Sequence, residues 1–471
     1  MLTMISQAPH ESVKSVRRLC ACKRCQSLAS IRRAGHFVWD AGEMNKSDQK
    51  AGRTRTKPEL LAPAGSLEKC AIAFLYGADA VYVGGKNYSL RAHTRNLNRE
   101  ELAAACYLAH RLGKKIYVTV NVFARESDLP SLPGFLRYLQ DIAVDGIILS
   151  DPGVMLLARQ WAPTIPIHLS TQSNTTNSLS ALFWQQQGVH RINLAREISF
   201  DELRAIRNAS TVALEVFIHG ALCMAYSGRC LLSAVLNRRS SNRGLCTQPC
   251  RWSYQLLEEK RPGEYFPIVQ DFRGSYILNS RDLCLMEHLG ELMALGIDAF
   301  KVEGRMKGAL YLASVLRSYR QAIDRHWKHP GQFQVDEHWQ NDLQRVSHRP
   351  YTSGLMFDDA EPTQELSTSA PYIRSHTLAG LVRALPVEIQ GQMEIDHSVA
   401  RHWTVIESRS QLRPGMELEF LHPDGSGSTH MLAQFFDLQG KPLPVAHPNT
   451  WIQFSTPFKT FPLQVIRTAC R

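Results

Sequence analysis

What most constrains this chain is a repeat of short apolar segments, each coupled to a stretch of helical periodicity. Glu59 to Gly65, Ala80 to Val83, Lys115 to Val122, Asp145 to Leu149, Ile165 to Leu169, Gly188 to Leu194, Leu214 to Ile218 and Gly296 to Val302 all follow this pattern. Short apolar runs alternating with helices imply strands that pair in parallel through crossovers. Gly77 closes the helical stretch Leu67 to Tyr76, as a helix-ending glycine should. Gly296-Ile297-Asp298-Ala299 copies Gly77-Ala78-Asp79-Ala80. Eight such units over roughly 250 residues predict an α/β fold, a closed (β/α)8 TIM-like barrel. A doubly wound open sheet is the alternative, but no Gly-x-Gly-x-x-Gly loop follows a first strand.

The barrel is expected over residues 57–325. A helix and a Thr/Ser/Pro-rich linker fill 326–375, and 376–471 reads as a small all-β barrel of short alternating strands with Pro-Gly and Asp-Gly turns. Residues 1–56 read as a basic extension without a sustained period, expected to be disordered. Cys20, Cys22 and Cys25 within it have no nearby fourth metal ligand, and Met44 is a candidate start codon. With 44% hydrophobic and 21% charged residues, the 471-residue chain is not of the disordered or fibrous kind. No transmembrane-length apolar run or signal peptide is found, so a cytoplasmic protein with no membrane partner is expected. The net charge of +11 is compatible with a nucleic-acid partner.

In a barrel of this kind, chemistry sits where the strands end. That selects Arg91 and Arg95, Asn121, Gln172 and Asn174, Arg196, His219, and Glu303 with Arg305. His219, Glu303 and Arg305 are candidates for proton transfer or substrate orientation. Arg91 and Arg95 suit carboxylates or phosphates. His168, Gln172 and Asn174 are candidates to line the mouth. Each also has an ordinary structural explanation, as a strand-end ion pair, a satisfied polar group or a solvated loop charge.

Four thiols fall within 28 residues, Cys223, Cys230, Cys246 and Cys250, spaced C-x6-C-x15-C-x3-C. Such a set suits an iron–sulfur cluster or a structural zinc. The x6 interval is wide for a zinc pair, and plain structural cysteines remain an alternative. Cys284 follows closely enough to substitute for one ligand. Tyr226 and Arg229 lie between two of the thiols, where they could tune a bound cluster or contact substrate.

The run Glu215-Val216-Phe217-Ile218-His219-Gly220-Ala221-Leu222-Cys223, with Tyr226-Ser227-Gly228-Arg229-Cys230-Leu231-Leu232-Ser233, resembles the signature of the U32 (collagenase-like) peptidase family. Glu59 to Gly65, Tyr88 to Arg91, Cys246 to Trp252, Asn279 to Asp282, Lys301 to Lys307 and Arg349 to Gly354 extend the resemblance from about residue 57 onward. It implies a barrel-type catalytic domain and a [4Fe–4S] cluster, with Cys223, Cys230, Cys246 and Cys250 as leading ligands. Cys284 matches a cysteine of other branches. The branch this chain resembles most implies prephenate-dependent 5-hydroxylation of the tRNA wobble uridine, with tRNA and prephenate as partners. The oligomeric state stays open.

Three functions compete. The first is the iron–sulfur tRNA hydroxylase. The second is a peptidase, although there is no His-Glu-x-x-His or Gly-x-Ser-x-Gly motif. The third is a non-catalytic RNA-binding protein with structural zinc.

Overall fold

The computed structural model describes residues 56–89, 96–222, 230–249, 256–257, 265–266, 269–271, 274–276, 281–357, 372–384 and 402–470. The N-terminal cysteines, Met44 and most of the Lys50 to Lys57 basic run lie outside these residues.

The first seven strands are β1 (Glu59–Pro63), β2 (Ala80–Gly84), β3 (Lys115–Thr119), β4 (Gly146–Leu149), β5 (Ile167–Leu169), β6 (Arg191–Asn193) and β7 (Ala213–Ala221). Short antiparallel pairs follow: β8 (Leu256–Leu257) with β9 (Tyr265–Phe266), and β10 (Val269–Asp271) with β11 (Gly274–Tyr276). Then come β12 (Asp282–Cys284), β13 (Ala299–Val302) and β14 (Tyr351–Thr352). Strands β1 to β7 pair in parallel in chain order, and β13 pairs in parallel with both β7 and β1. The result is a closed eight-stranded parallel barrel, as the repeat requires.

The helices are α1 (Leu67–Leu75), α2 (Arg99–Arg111), α3 (Leu132–Asp141), α4 (Pro152–Trp161), α5 (Ser178–Gln186), α6 (Phe200–Ala209), α7 (Leu232–Asn237), α8 (Leu289–Ala294), α9 (Ala309–Lys328) and α10 (Glu337–Gln344). Local chemistry sets their starts. Asn98 with Glu101, and Ser199 with Glu202, form reciprocal capping boxes on α2 and α6. The helix that closes the barrel runs to Lys328, three residues past the expected boundary. Strand β14 joins the barrel sheet through β12.

The two Gly-x-Asp turns, and Ala143-Val144-Asp145 before β4, share a physical reason for their aspartate. Asp79, Asp145 and Asp298 stand directly before β2, the β4 glycine and β13. Their carboxylates accept the backbone N–H of Leu60, Ile116 and Leu214, each on a neighbouring strand of the barrel, at 2.9, 2.8 and 2.8 Å. Each aspartate thus stitches two neighbouring strands at the barrel's N-terminal end.

Side chains alternate along a strand, so every second residue enters the barrel. Leu61, Ala80, Tyr82, Tyr117 and Ile148 form an apolar cluster inside it. Below them, Arg191 bridges Glu59 (2.7 Å) and Glu215 (3.3 Å), and Lys301 reaches Glu215 at 2.7 Å. Two carboxylates and two cations cancel, which is how a buried ion cluster survives desolvation. The larger core packs outside, between sheet and helices.

The C-terminal domain has β15 (His376–Arg383), β16 (His402–Ser408), β17 (Met416–Leu421), β18 (Gly427–Leu432), β19 (Trp451–Thr456) and β20 (Val465–Ala469). These form one antiparallel sheet, ordered β18-β17-β20-β15-β16-β19 and curled into a half-barrel. A bridge from Phe436 to Gln453 draws its edges together. The domain is fastened to the barrel's helices. The Tyr76 hydroxyl donates to the Leu421 carbonyl and accepts from the Val465 N–H, at 3.0 and 2.9 Å. Asp342 of α10 sits between Arg317 of α9 (2.5 Å) and Arg467 of β20 (2.9 Å). Among the described residues, no helix is long and apolar enough to cross a membrane.

Candidate active site

Strand β7 is longer than its neighbours and runs past the barrel rim. Beyond Lys301 its register with β13 shifts, and its end pairs antiparallel with β12, Ala221 with Asp282 and Gly220 with Leu283. The chain leaves β7 here to make the cysteine-bearing segment. Cys223, Tyr226, Arg229 and Cys250 lie outside the described residues, as do Arg91 and Arg95.

Residues 230–249 return to the C-terminal face of the barrel. The Arg243 guanidinium forks onto Asp128 in the loop after β3, at 2.7 and 3.1 Å, and donates to the Phe123 carbonyl at 3.0 Å. The Phe123 N–H donates to the Asn242 carbonyl. The hydrogen-bonded Arg243 holds the Asp128 carboxyl below its ordinary range, and Asp128 in turn raises Arg243. Ser233, Asn237 and Thr247 tie α7 to the strand of chain around Cys246. The cysteine segment is therefore pinned over the strand ends.

Cys230 is half-buried, Cys246 is exposed, and both are free thiols. The Gln248 N–H donates to Cys246 Sγ at 3.4 Å. An accessible sulfur with a backbone N–H bond suits a cluster thiolate, so the described part of the donor set fits that role. Among the described residues no three His, Cys, Asp or Glu gather into a metal site. Cys284 is placed differently. It lies on β12 opposite His219, its sulfur is 3.7 Å from the Tyr319 hydroxyl, and burial pushes its thiol pKa up.

His219 faces outward from the barrel, where Tyr311, Tyr319 and Tyr351 surround its ring at 5.3 to 5.9 Å between centroids. Burial pushes its pKa down to about 3. The Tyr319 hydroxyl donates to the Ile218 carbonyl at 3.0 Å and lies 3.4 Å from His219 Nδ1. The ring is thus neutral and boxed beneath α9.

Glu303 and Arg305 do stand at the mouth. The Tyr82 hydroxyl lies 3.0 Å from Glu303 Oε2. Arg305 is buried and donates to Ser89 Oγ at 2.9 Å. Gly84 makes room for it: a Cβ there would come within 2.2 Å of Arg305 Nη1. Gln172 and Asn174 flank the turn after β5. Gln172 is buried and accepts from Ser170 Oγ at 3.2 Å. Asn174 is left-handed (φ 49°), with Oδ1 buried and unbonded among the described residues. Arg196 donates to the Ala221 carbonyl at 2.7 Å and lies over the Phe217 ring. His168 sits deeper against Tyr117, and burial lowers its pKa well below the ordinary value.

Sequence reasoning did not single out Ser150, Ser170 and Asn193. Their signal was a polar residue ending an otherwise apolar strand.

Comparisons with known proteins place the sequence in a family. Peptidase family U32 matches residues 65–366, and the Peptidase family U32 C-terminal domain matches 388–467. The tRNA hydroxylation protein P1 of Bacillus subtilis (strain 168) is 35% identical over 412 residues, covering 87% of this chain and 94% of its own. The tRNA hydroxylation protein P of Escherichia coli (strain K12) is 39% identical over 340 residues, covering 64% of this chain and 74% of its own. The 23S rRNA 5-hydroxycytidine C2501 synthase of the same organism is 37% identical over 266 residues, 56% of this chain and 39% of its own. A solved U32 peptidase aligns with 54% of this chain and 95% of its own, at 17% identity and a TM-score of 0.36. With two family domains matched in order over most of its length, the chain belongs to peptidase family U32.

Proposed function

We propose that this protein is an RNA-modifying hydroxylase that replaces C5–H of the tRNA wobble uridine by C5–OH. The reading includes a [4Fe–4S] cluster on Cys223, Cys230, Cys246 and Cys250, and prephenate as co-substrate. The observation that carries it is the cysteine segment pinned by Arg243 and Asp128 over a polar barrel mouth. The relatives named for tRNA and rRNA hydroxylation support the reaction class.

When bound, the cluster would supply one-electron chemistry at the mouth. The protein's own residues do the rest. Glu303, hydrogen-bonded to Tyr82, is the carboxylate placed to hold or move a proton at the rim. Arg305 is the guanidinium placed for a carboxylate of prephenate, with Arg91 and Arg95 as further candidates. A wobble base must leave its stack to enter the mouth. Cys284, buried against Tyr319 with its thiol pKa pushed up, is left out of the ligand set. A proteolytic reading needs a nucleophile beside a base; His219 is instead walled in by tyrosines.

The test is a nucleoside profile of tRNA from a strain lacking the gene, complemented with wild type or Cys246→Ala. Hydroxyuridine should vanish on deletion and return only with the wild type. The anaerobically purified protein should hold about four irons and absorb broadly near 400 nm, as thiolate-bound clusters do. An unchanged tRNA profile on deletion would overturn the hydroxylase reading, and a colourless protein after reconstitution would overturn the cluster.

A further inference from the structure

The inner wall of the barrel is chemically lopsided. Parity along β4, β5 and β6 turns Ser150, Ser170 and Asn193 to the interior. Leu149 pairs with Leu169 and Leu169 with Ile192, so these three are the next residues in line on neighbouring strands. Asn121, past the end of β3, joins them by donating to Ser170 Oγ at 3.5 Å. All four are neutral, and each offers both a donor and an acceptor. Asn193 is 3% exposed and Ser150 8%. Yet Asn193 Oδ1 and Ser150 Oγ have no hydrogen-bond partner among the described residues. An unsatisfied buried polar group costs about 1–3 kcal/mol, so native structures keep few without a reason. Two of them on one arc of a barrel mouth mark a ligand's place.

Charge decides which ligand. Prephenate carries two carboxylates and calls for cations. The four arc residues carry none, and Arg191, below Asn193 on β6, is already bridged to Glu59 and Glu215, as Lys301 is to Glu215; the cation at the mouth is Arg305, on the opposite side. A uracil ring is neutral and flat, with an N3–H donor between two carbonyl acceptors along one edge. We propose that this arc of β3 to β6 binds the uracil base of the substrate, with Asn193 and Ser150 meeting its polar edge. The choice of uracil rests on the hydroxylase reading above. With the polar edge held on this wall, the C5–C6 edge turns across the barrel. There it faces β7 and β13, where Glu303 stands and from which the cysteine segment departs. The arc therefore aims the atom to be hydroxylated as well as holding the base.

Saturation-transfer NMR on the full-length protein tests this, with uridine and prephenate as separate probes. Wild type should saturate uridine. Asn193→Ala and Ser150→Ala should each weaken uridine about tenfold, the loss of a hydrogen-bonded contact worth ~1.4 kcal/mol. Both variants should melt no lower than wild type, because each removes an unsatisfied group. Their tRNA affinity should stay within about twofold, since phosphate contacts carry most of it. Unchanged uridine binding in both variants would overturn the proposal. So would loss of prephenate binding, with uridine unaffected, in the same variants. Uridine binding is read without turnover, so a tRNA profile unchanged on deletion would sink the hydroxylase reading without touching this result.

Discussion

At the residue scale, two glycines separate a functional constraint from a structural one. A Cβ at Gly84 would meet the far end of the flexible Arg305 side chain, which can move. A Cβ at Gly220 would meet the Glu303 carbonyl oxygen at 2.3 Å, in a backbone at φ +109°, and neither can give. Gly84→Ala, whose Cβ would also meet Ser89 Oγ at 2.6 Å, should still fold, at a cost of about 1–2 kcal/mol typical of overpacking, while losing modification because the buried Arg305 is displaced. Gly220→Ala should cost about 1–3 kcal/mol or more through strain. Denaturant melts and tRNA nucleoside profiles of the pair check both statements.

His219 yields a pH prediction at the same scale. Its pKa is about 3 in the fold against an ordinary 6.5. Below pH 6.5 the unfolded chain takes up a proton that the folded one refuses. Stability should therefore fall as pH drops from about 6.5 toward 3, by up to about 1.4 kcal/mol per pH unit. His219→Phe should flatten that limb of the stability–pH curve; an unchanged slope would show that the ring is not held neutral.

At the element scale, the segment 230–249 is held by the Arg243–Asp128 fork beside its backbone bonds to Phe123. Arg243→Ala and Asp128→Ala should each loosen it, lowering iron retained after exposure to air. The double variant should be little worse than either single one, with a coupling of about 1 kcal/mol for a partly buried pair. Iron content per chain in all four proteins measures this. Elements also show what was legible. The eight barrel strands were readable because each is an apolar run, most of them beside a glycine or aspartate turn and β5 beside prolines. Strand β20 was not, because Arg467 interrupts it; that guanidinium is buried only because Glu419 and Asp342 meet it. The start of strand β18 is faint in the sequence, because Gly427 to His430 face solvent on one side and carry little apolar signal. Of the site, Glu303 and Arg305 were found at the mouth by strand-end position. His219 was placed on the wrong face by the same rule, since the register shift beside Lys301 turns it outward, a break in parity that no single sequence displays.

At the scale of the whole molecule, Asp342 is one of the ties between the two domains, beside Tyr76 and the Glu68–Arg383 ion pair. Burial would raise its pKa, but Arg317 and Arg467 hold the carboxyl below the ordinary 3.8. A depressed carboxyl lends stability above its unfolded value and loses it as pH falls through its folded one, so the domain contact should weaken only below about pH 4. Asp342→Asn takes the carboxylate from the buried Arg317 and leaves Arg467 with Glu419, and should cost about 3 kcal/mol. Scanning calorimetry should show one transition splitting into two; a single transition at the wild-type temperature would show that the contact is held elsewhere.

The pairing of Ala221 with Asp282 also bears on how the molecule could be re-engineered. Everything from Leu222 to Arg281 departs and returns at neighbouring rungs of one antiparallel ladder. Such rungs can equally be joined by a two-residue hairpin, and a shorter closure costs less chain entropy. The cysteine segment is thus an excisable cassette. A chain in which a tight turn replaces it should still close its barrel, leaving an empty scaffold onto which another family member's cassette could be grafted.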